Sequence, residues 1–246
     1  MKARFSYANT IFKCDLSKGI DLSVAHEKSL AWNSPDVRTE PVINGDWVGS
    51  VDQGAAVNFY NICFNPHGNG THTEGPGHIL PGKASVNAHV PKGIMLALLL
   101  SVFPEEREKG MAICKESLEE IWPEGLHFTA LILRSLPNDA HVKHQDRSNT
   151  NPPYISPDAM QFIVEKGIEH ILFDQPSVDP EQDGGALLAH RIFWAVDTGI
   201  RAHCTITELI FVPDEVPDGF YALNIQTAPF ENDALPSRPI IYPVEF

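Results

Sequence analysis

Residues 66–78 read PHGNGTHTEGPGH, so His67, His72 and His78 fall within a dozen positions of one another with Glu74 among them. Imidazole and carboxylate groups are good ligands for first-row divalent metals. The interleaved glycines and prolines let the backbone turn tightly and approach a bound ion or substrate. His72 and Glu74 are two apart, and in an extended segment both side chains point to the same side. His78 lies four beyond Glu74, after a Gly75-Pro76-Gly77 turn, and can face the same cavity. Any one of these histidines alone reads as a solvated loop residue; the cluster reads as a metal site.

The elements that must position these residues are legible mostly in the second half. Apolar runs bounded by turn residues predict strands over 127–136, 168–173, 204–212, 221–225 and 240–244. Ser156-Pro157-Asp158 reads as an N-cap, a proline at the first helical position and an acid on the positive end, so a helix should run from there to about Gly167. Further helices are expected over 116–122 and 185–196, and a Pro/Asn/Asp-rich excursion over 137–153. Alternating strands and helices define a single α/β or α+β domain spanning 1–246. Glu208 falls in the apolar strand 204–212, where an unpaired carboxylate is costly. Its partner is either a metal or an arginine such as Arg191 or Arg201.

Composition narrows the partners. Thirty-two acids against eighteen bases give a net charge of −14. That charge repels a nucleic-acid backbone and an anionic membrane surface. The most apolar run, 94–103, is too short for a membrane helix. The N-terminus lacks a signal-peptide pattern, and the four dispersed cysteines (Cys14, Cys63, Cys114 and Cys204) read as buried thiols. A soluble cytoplasmic protein is expected.

GTHTEGPGH, Gly70 to His78, resembles the signature H-x-G-T-H-x-D-x-P-x-H of the cyclase family of metal-dependent hydrolases, which includes bacterial-type kynurenine formamidase and isatin hydrolase. Gly70, Thr71, His72, Pro76 and His78 are in register with it. Asp15-Leu16-Ser17 or Asp21-Leu22-Ser23 resembles the family's opening D-L-[ST]. Ala31-Trp32 falls where the family often carries a tryptophan near its substrate. Residues 174–179, DQPSVD, resemble its D-x-x-S-x-D turn. Thr207-Glu208-Leu209 resembles the E-N-L that ends its metal set, and ALPSRPIIYPV resembles its closing strand. Three departures stand out. Glu74 replaces an aspartate. His67 lies five residues before His72, where the family's spacing is four, so either the loop bulges and His67 ligates or Gly68 occupies a lost ligand position. The family's last histidine lies about twelve residues before its final glutamate. His190 is eighteen before Glu208, whereas the nearer His203 would sit on the opposite strand face. His190 is preferred, with a satisfied helix histidine as its alternative.

The resemblance implies a swivelling β/β/α fold, a mixed β core with flanking helices. It implies zinc or manganese held by His67, His72, Glu74, His190 and Glu208. His78 is implied as the acid/base, with Glu208 beside it as a second catalytic group, and Trp32 lines the substrate. Phe59 and Phe64 read as core, and His89, His141 and His144 as surface residues. The implied reaction is hydrolysis of an amide or lactam C–N bond in a small non-peptide substrate, as in an arylformamidase. The alternatives are a non-catalytic small-molecule-binding member of the fold, and a metal-free enzyme using Glu74 and His78. A homo-oligomer, dimer or tetramer, is also implied, with residues of a neighbour near the active-site entrance.

Overall fold

A computed structural model describes residues 1–7, 10–82 and 84–246. The chain opens with the hairpin β1 (Lys2–Tyr7) and β2 (Thr10–Asp15) and the short strand β3 (Ile20–Asp21). An arm follows, in which β4 (Arg38–Pro41) pairs with β7 (Tyr60–Cys63) and, between them, β5 (Ile43–Asn44) pairs with β6 (Trp47–Val48). The single-turn helix α1 (Pro66–Asn69) leads into β8 (His72–Glu74), then β9 (Met95–Val102), β10 (Glu105–Arg107) and β11 (Gly110–Ile113). Next come α2 (Lys115–Ile121), β12 (Ala130–Ser135), β13 (Tyr154–Ile155), α3 (Pro157–Glu165) and β14 (His170–Phe173). The chain ends with α4 (Leu188–Phe193), β15 (Thr205–Glu208), β16 (Gly219–Thr227) and β17 (Ala234–Glu245).

Strands β17, β16, β9, β12, β14, β15 and β8 lie side by side in that order, and β8 pairs again with β17. The sheet therefore closes on itself as a barrel, which removes its free edges. The pairings β9–β12, β12–β14 and β14–β15 are parallel; the others in the ring are antiparallel. This is a mixed α/β architecture with a barrel core.

The apolar run at 94–103 becomes β9, a central strand buried on both faces. Leu96, Leu98 and Leu100 pack on one side with Leu131, Ile171 and the residues of α3 and α4. Ala97 and Leu99 pack on the other with Ile132, Leu172 and Leu235. A strand covered on both faces shows no polar alternation, hence its continuous hydrophobic sequence. Helix α3 starts as expected, with the Ser156 hydroxyl accepting the Ala159 N–H at 3.4 Å and Pro157 in the first turn.

Other elements differ from the sequence reading. The strand expected over 204–212 stops at Glu208, because Leu209 adopts φ +56°. The helix expected over 185–196 shrinks to Leu188–Phe193, because Gly184, Gly185 and Leu187 all have positive φ. Strand β17 extends well before residue 240 despite its three prolines. Cys63 is exposed on the arm rather than buried; the other three cysteines are buried. Phe59 is likewise exposed on the arm rather than in the core. Among the described residues no helix is long and apolar enough to cross a membrane.

Candidate metal centre

Strand β8 lies between β15 and β17, and its register sets the site. His72 sits opposite Glu208, and Thr73 opposite Thr207, with the two threonine hydroxyls 2.7 Å apart. Side chains alternate along a strand, so the threonines share one face while His72, Glu74 and Glu208 share the other. The Gly70 carbonyl lies 3.1 Å from His72 Nδ1 and can only accept, so Nδ1 carries the proton. The free Nε2 is then directed at Glu208 Oε2, 3.4 Å away.

His67 arrives from α1. The Asn65 side chain caps this turn, accepting the N–H groups of His67 at 2.9 Å and Gly68 at 3.3 Å. His67 Nδ1 lies 3.2 Å from Glu74 Oε2. The extra residue before Gly70 is thus absorbed by the helical turn, and His67 reaches the site. Gly68 packs against the 31–34 loop, where an added Cβ would stand 2.3 Å from Ser34 Oγ and 2.9 Å from the Ala31 carbonyl. His78 ends the 3-10 turn Pro76–His78, and its Nε2 is 3.7 Å from Glu74 Oε2. Gly77 in that turn has no room for a side chain, since a Cβ would lie 2.0 Å from the Ala84 carbonyl.

From the other side α4 delivers His190, whose Nε2 is 3.0 Å from Glu74 Oε1 and 3.9 Å from Glu208 Oε1. Glu208 accepts the Val178 N–H at 3.0 Å. Neither candidate arginine pairs with Glu208. Arg191 bonds Asp197, and Arg201 donates to the carbonyls of Phe193 and Ile168. His203 points away, toward exposed Glu169.

Two carboxylates that the sequence reading gave no role complete the site. Asp179 accepts from His190 Nδ1 at 2.6 Å and from the backbone N–H groups of Ala189 and His190. It lies in the 174–179 turn that carried part of the resemblance. A single oxygen of Asp233, Oδ2, lies 3.0 Å from His67 Nε2 and 3.4 Å from His78 Nδ1. No motif marks Asp233; only the pairing of Ala234 with Glu74 brings it there. Trp32, with φ +65°, stands at the rim of a cavity of about 330 Å³ floored by His67, His78, His190 and Glu208. Phe64 is half-buried outside it, against His26 and Phe230. His141 and His144 are exposed and His89 half-buried.

The electrostatics follow from this packing. Burial and the neighbouring His67 hold His72 down to about 3, so it is a neutral donor. Burial works against charge on His190, yet Asp179 and Glu74 outweigh it and raise it to about 10. His67 is likewise raised to about 10 against its burial, by Asp233 and Glu74. Burial and the charge of Glu74 push the Glu208 carboxyl up, while His78, His190 and His67 hold Glu74 well below the usual range despite its burial.

His72 Nε2 and Glu74 Oε2 are fully buried and make no well-formed hydrogen bond, the groups beside them being Glu208 Oε2 at 3.4 Å and His67 Nδ1 at 3.2 Å. An unsatisfied buried polar atom costs roughly 1–3 kcal/mol. The ligand atoms of His72, Glu74 and Glu208 lie within 4.8 Å of one another, as do those of His67, Glu74 and His78, and Glu74 belongs to both groups. Donors at ~2.1 Å from a tetrahedral ion lie about 3.4 Å apart, and the spacings of 3.2 and 3.4 Å found here fit that. The residues present therefore suit a divalent cation, which would satisfy both orphaned atoms.

A closed mixed barrel carrying a His/Glu cation site beside a small cavity is the frame of a metal-dependent hydrolase. Residues 20–180 match the family model described as putative cyclase. The chain belongs to the cyclase family and is an enzyme of the hydrolase class. It is 30% identical over 197 residues to the kynurenine formamidase of Bacillus thuringiensis (strain Al Hakam), covering 79% of this chain and 85% of that protein. The kynurenine formamidase of Bacillus anthracis is 28% identical over 231 residues, covering 93% and 99%. Among solved structures, an isatin hydrolase bound to the product analogue thioisatinate has a TM-score of 0.64 at 14% identity, covering 92% of each chain. A predicted metal-dependent hydrolase from Bacillus stearothermophilus gives 0.63 at 16%, covering 92% of this chain and 98% of that one.

Proposed function

We propose that this protein hydrolyses the C–N bond of a small aromatic formamide or lactam with the help of zinc or manganese. The observation that carries the reading is the pair of buried donors without a well-formed hydrogen bond, His72 Nε2 and Glu74 Oε2, beside a cavity of about 330 Å³. That volume suits a small ligand. His67, His72, Glu74, His190 and Glu208 would hold one or two ions. A divalent ion bound there acidifies water and polarises a carbonyl.

The chain's own residues supply the rest. His78 has a 30% exposed side chain at the cavity wall and is the group placed to move protons. It takes a proton from the attacking water and returns it to the departing nitrogen as the C–N bond breaks. Asp233 holds the His78 ring by Nδ1, which leaves Nε2 for the transfer. Trp32 offers an apolar face to a flat substrate. The names of the relatives agree with this chemistry.

The test is metal content by plasma mass spectrometry on protein purified without a nickel column, followed by a screen of formamides and lactams. One or two equivalents of zinc or manganese are expected. His72→Ala should lose both metal and turnover, and His78→Ala should keep metal while losing turnover by at least a hundredfold. Protein that takes up neither ion would sink the metal reading and favour the metal-free or binding-only alternative.

We also propose a homodimer as the working form. The arm formed by β4 to β7 projects Ile43, Val57, Phe59 and Ile62, each more than half exposed. Several exposed apolar side chains carried on one projecting arm support an interface there.

A further inference from the structure

We propose that the cavity selects its substrate by charge: it accepts an uncharged aromatic formamide or lactam and rejects one bearing a carboxylate. This rests on the hydrolase reading above and narrows it. Among the described residues lining the cavity there is no lysine or arginine. Arg147, close behind it in the fold, is buried and donates Nη1 to the Asp174 carbonyl and to Gln175 Oε1. It does not reach the lining.

The inner carboxylates all face the site: Asp179 holds His190 at 2.6 Å, Asp233 holds His67 at 3.0 Å and His78 at 3.4 Å, and Glu74 and Glu208 belong to the donor set that would hold the cation. The outer carboxylates have no such partner. Glu181 and Asp183 line the mouth, and neither forms an ion pair among the described residues. Both are fixed there by backbone donors. Glu181 accepts the N–H groups of Asn149 and Asn151 at 2.5 and 2.8 Å, and Asp183 those of Gly185 and Leu187 at 2.7 and 2.6 Å. The remaining walls are Trp32, Pro176, Pro180 and Leu187, with Asn65 and Ser177 as uncharged polar groups. A carboxylate entering would be desolvated with no lysine or arginine in the lining to receive it, past two fixed negative charges whose field the low-dielectric walls focus. A neutral ring meets apolar walls and two uncharged polar side chains.

The experiment compares two substrates of equal shape on the metal-loaded enzyme, N-formylanthranilamide and N-formylanthranilate. The expected result is a kcat/KM at least tenfold higher for the carboxamide at low salt. The ratio should shrink at high ionic strength, because screening weakens exposed charges. It should also shrink in the Glu181→Gln/Asp183→Asn double variant. Equal or better turnover of the carboxylate would overturn the proposal. If neither compound, nor formanilide, nor isatin is hydrolysed, the hydrolase reading has failed. Calorimetric binding of the same pair then tests the charge selection by itself, with tenfold weaker binding of the carboxylate supporting it and equal affinity overturning it.

Discussion

The Oδ2 oxygen of Asp233 faces two imidazoles, and this fixes what both rings can do. His67 turns its Nε2 to Asp233 and so presents Nδ1 to Glu74; His78 turns its Nδ1 to Asp233 and so keeps Nε2 for the cavity. Partners of this kind orient a ligating histidine and raise its basicity, and their loss costs about 10- to 100-fold in metal affinity or activity. Asp233→Asn should therefore weaken zinc binding by that factor in a chelator competition while leaving the circular dichroism spectrum unchanged. An unchanged affinity would mean that Asp233 does not act through His67. A different histidine sets a limit on acid stability. His170 is buried, its Nδ1 2.9 Å from Thr205 Oγ1, and burial with the nearby charges of His203 and Arg201 holds it down to about 4 from an ordinary 6.5. Between those values the unfolded chain binds a proton that the folded chain refuses. The contribution of a neutral, buried His170 to stability is thus complete above about pH 6.5 and is lost as the pH falls through about 4. Urea midpoints at pH 7 and pH 5 should show the drop, and His170→Gln should reduce it.

At the scale of elements, the site is an agreement between two strands and two short helices. The β8–β15 register places His72 against Glu208, and no spacing along the chain encodes that pairing. What the chain does encode is local. The alternation of His72 and Glu74, the turn before His78 and the Ser156 cap of α3 are all set by neighbouring residues, and all three appear in the structure. The cluster at 67–78 and the placing of His190 ahead of His203 were legible for the same reason. Asp233 was not, because its partners His67 and His78 are far away in sequence; the N-terminal hairpin and the arm are pairings between nearby stretches that no motif marks. The end of β15 was misread because Leu209 is a β-former by composition that the closing turn forces to φ +56°. Helix α4 shows how a short element is held. Its first residues lack a cap of their own, and Asp179 substitutes from the preceding turn by accepting the N–H groups of Ala189 and His190 along with the His190 ring. Asp179→Ala removes the cap and the orienting bond together. A lost cap alone costs about 1 kcal/mol, and the buried imidazole left unpaired adds to it. The melting temperature should fall by several degrees and bound metal should drop below the wild-type content. A variant with wild-type melting and full metal would show that α4 is held by packing alone.

For the whole molecule, the closed barrel carries the candidate metal site and leaves the arm as the element without a counterpart. The arm is rooted at the cavity: Trp32 precedes it, Asn65 follows it, and both line the mouth. Between them the chain turns outward, with Trp47 against Phe59 at 6.2 Å and little else beneath its apolar side chains. Phe59 is 58% exposed and Ile62 64%. Such a strand pair has little stability by itself in water, so a second copy that buries it would both order it and wall the cavity mouth from outside. Light scattering at micromolar concentration should give a dimer mass. Phe59→Glu with Ile62→Glu places two charges in the contact and should shift the mass to that of the single chain. Both residues are outside the barrel and the donor set, so bound metal should stay at the wild-type value, while KM rises if the partner's arm shapes the entrance. A wild-type mass of one chain, or a double variant with unaltered mass, would remove the dimer from the account and leave each cavity to be completed by its own chain.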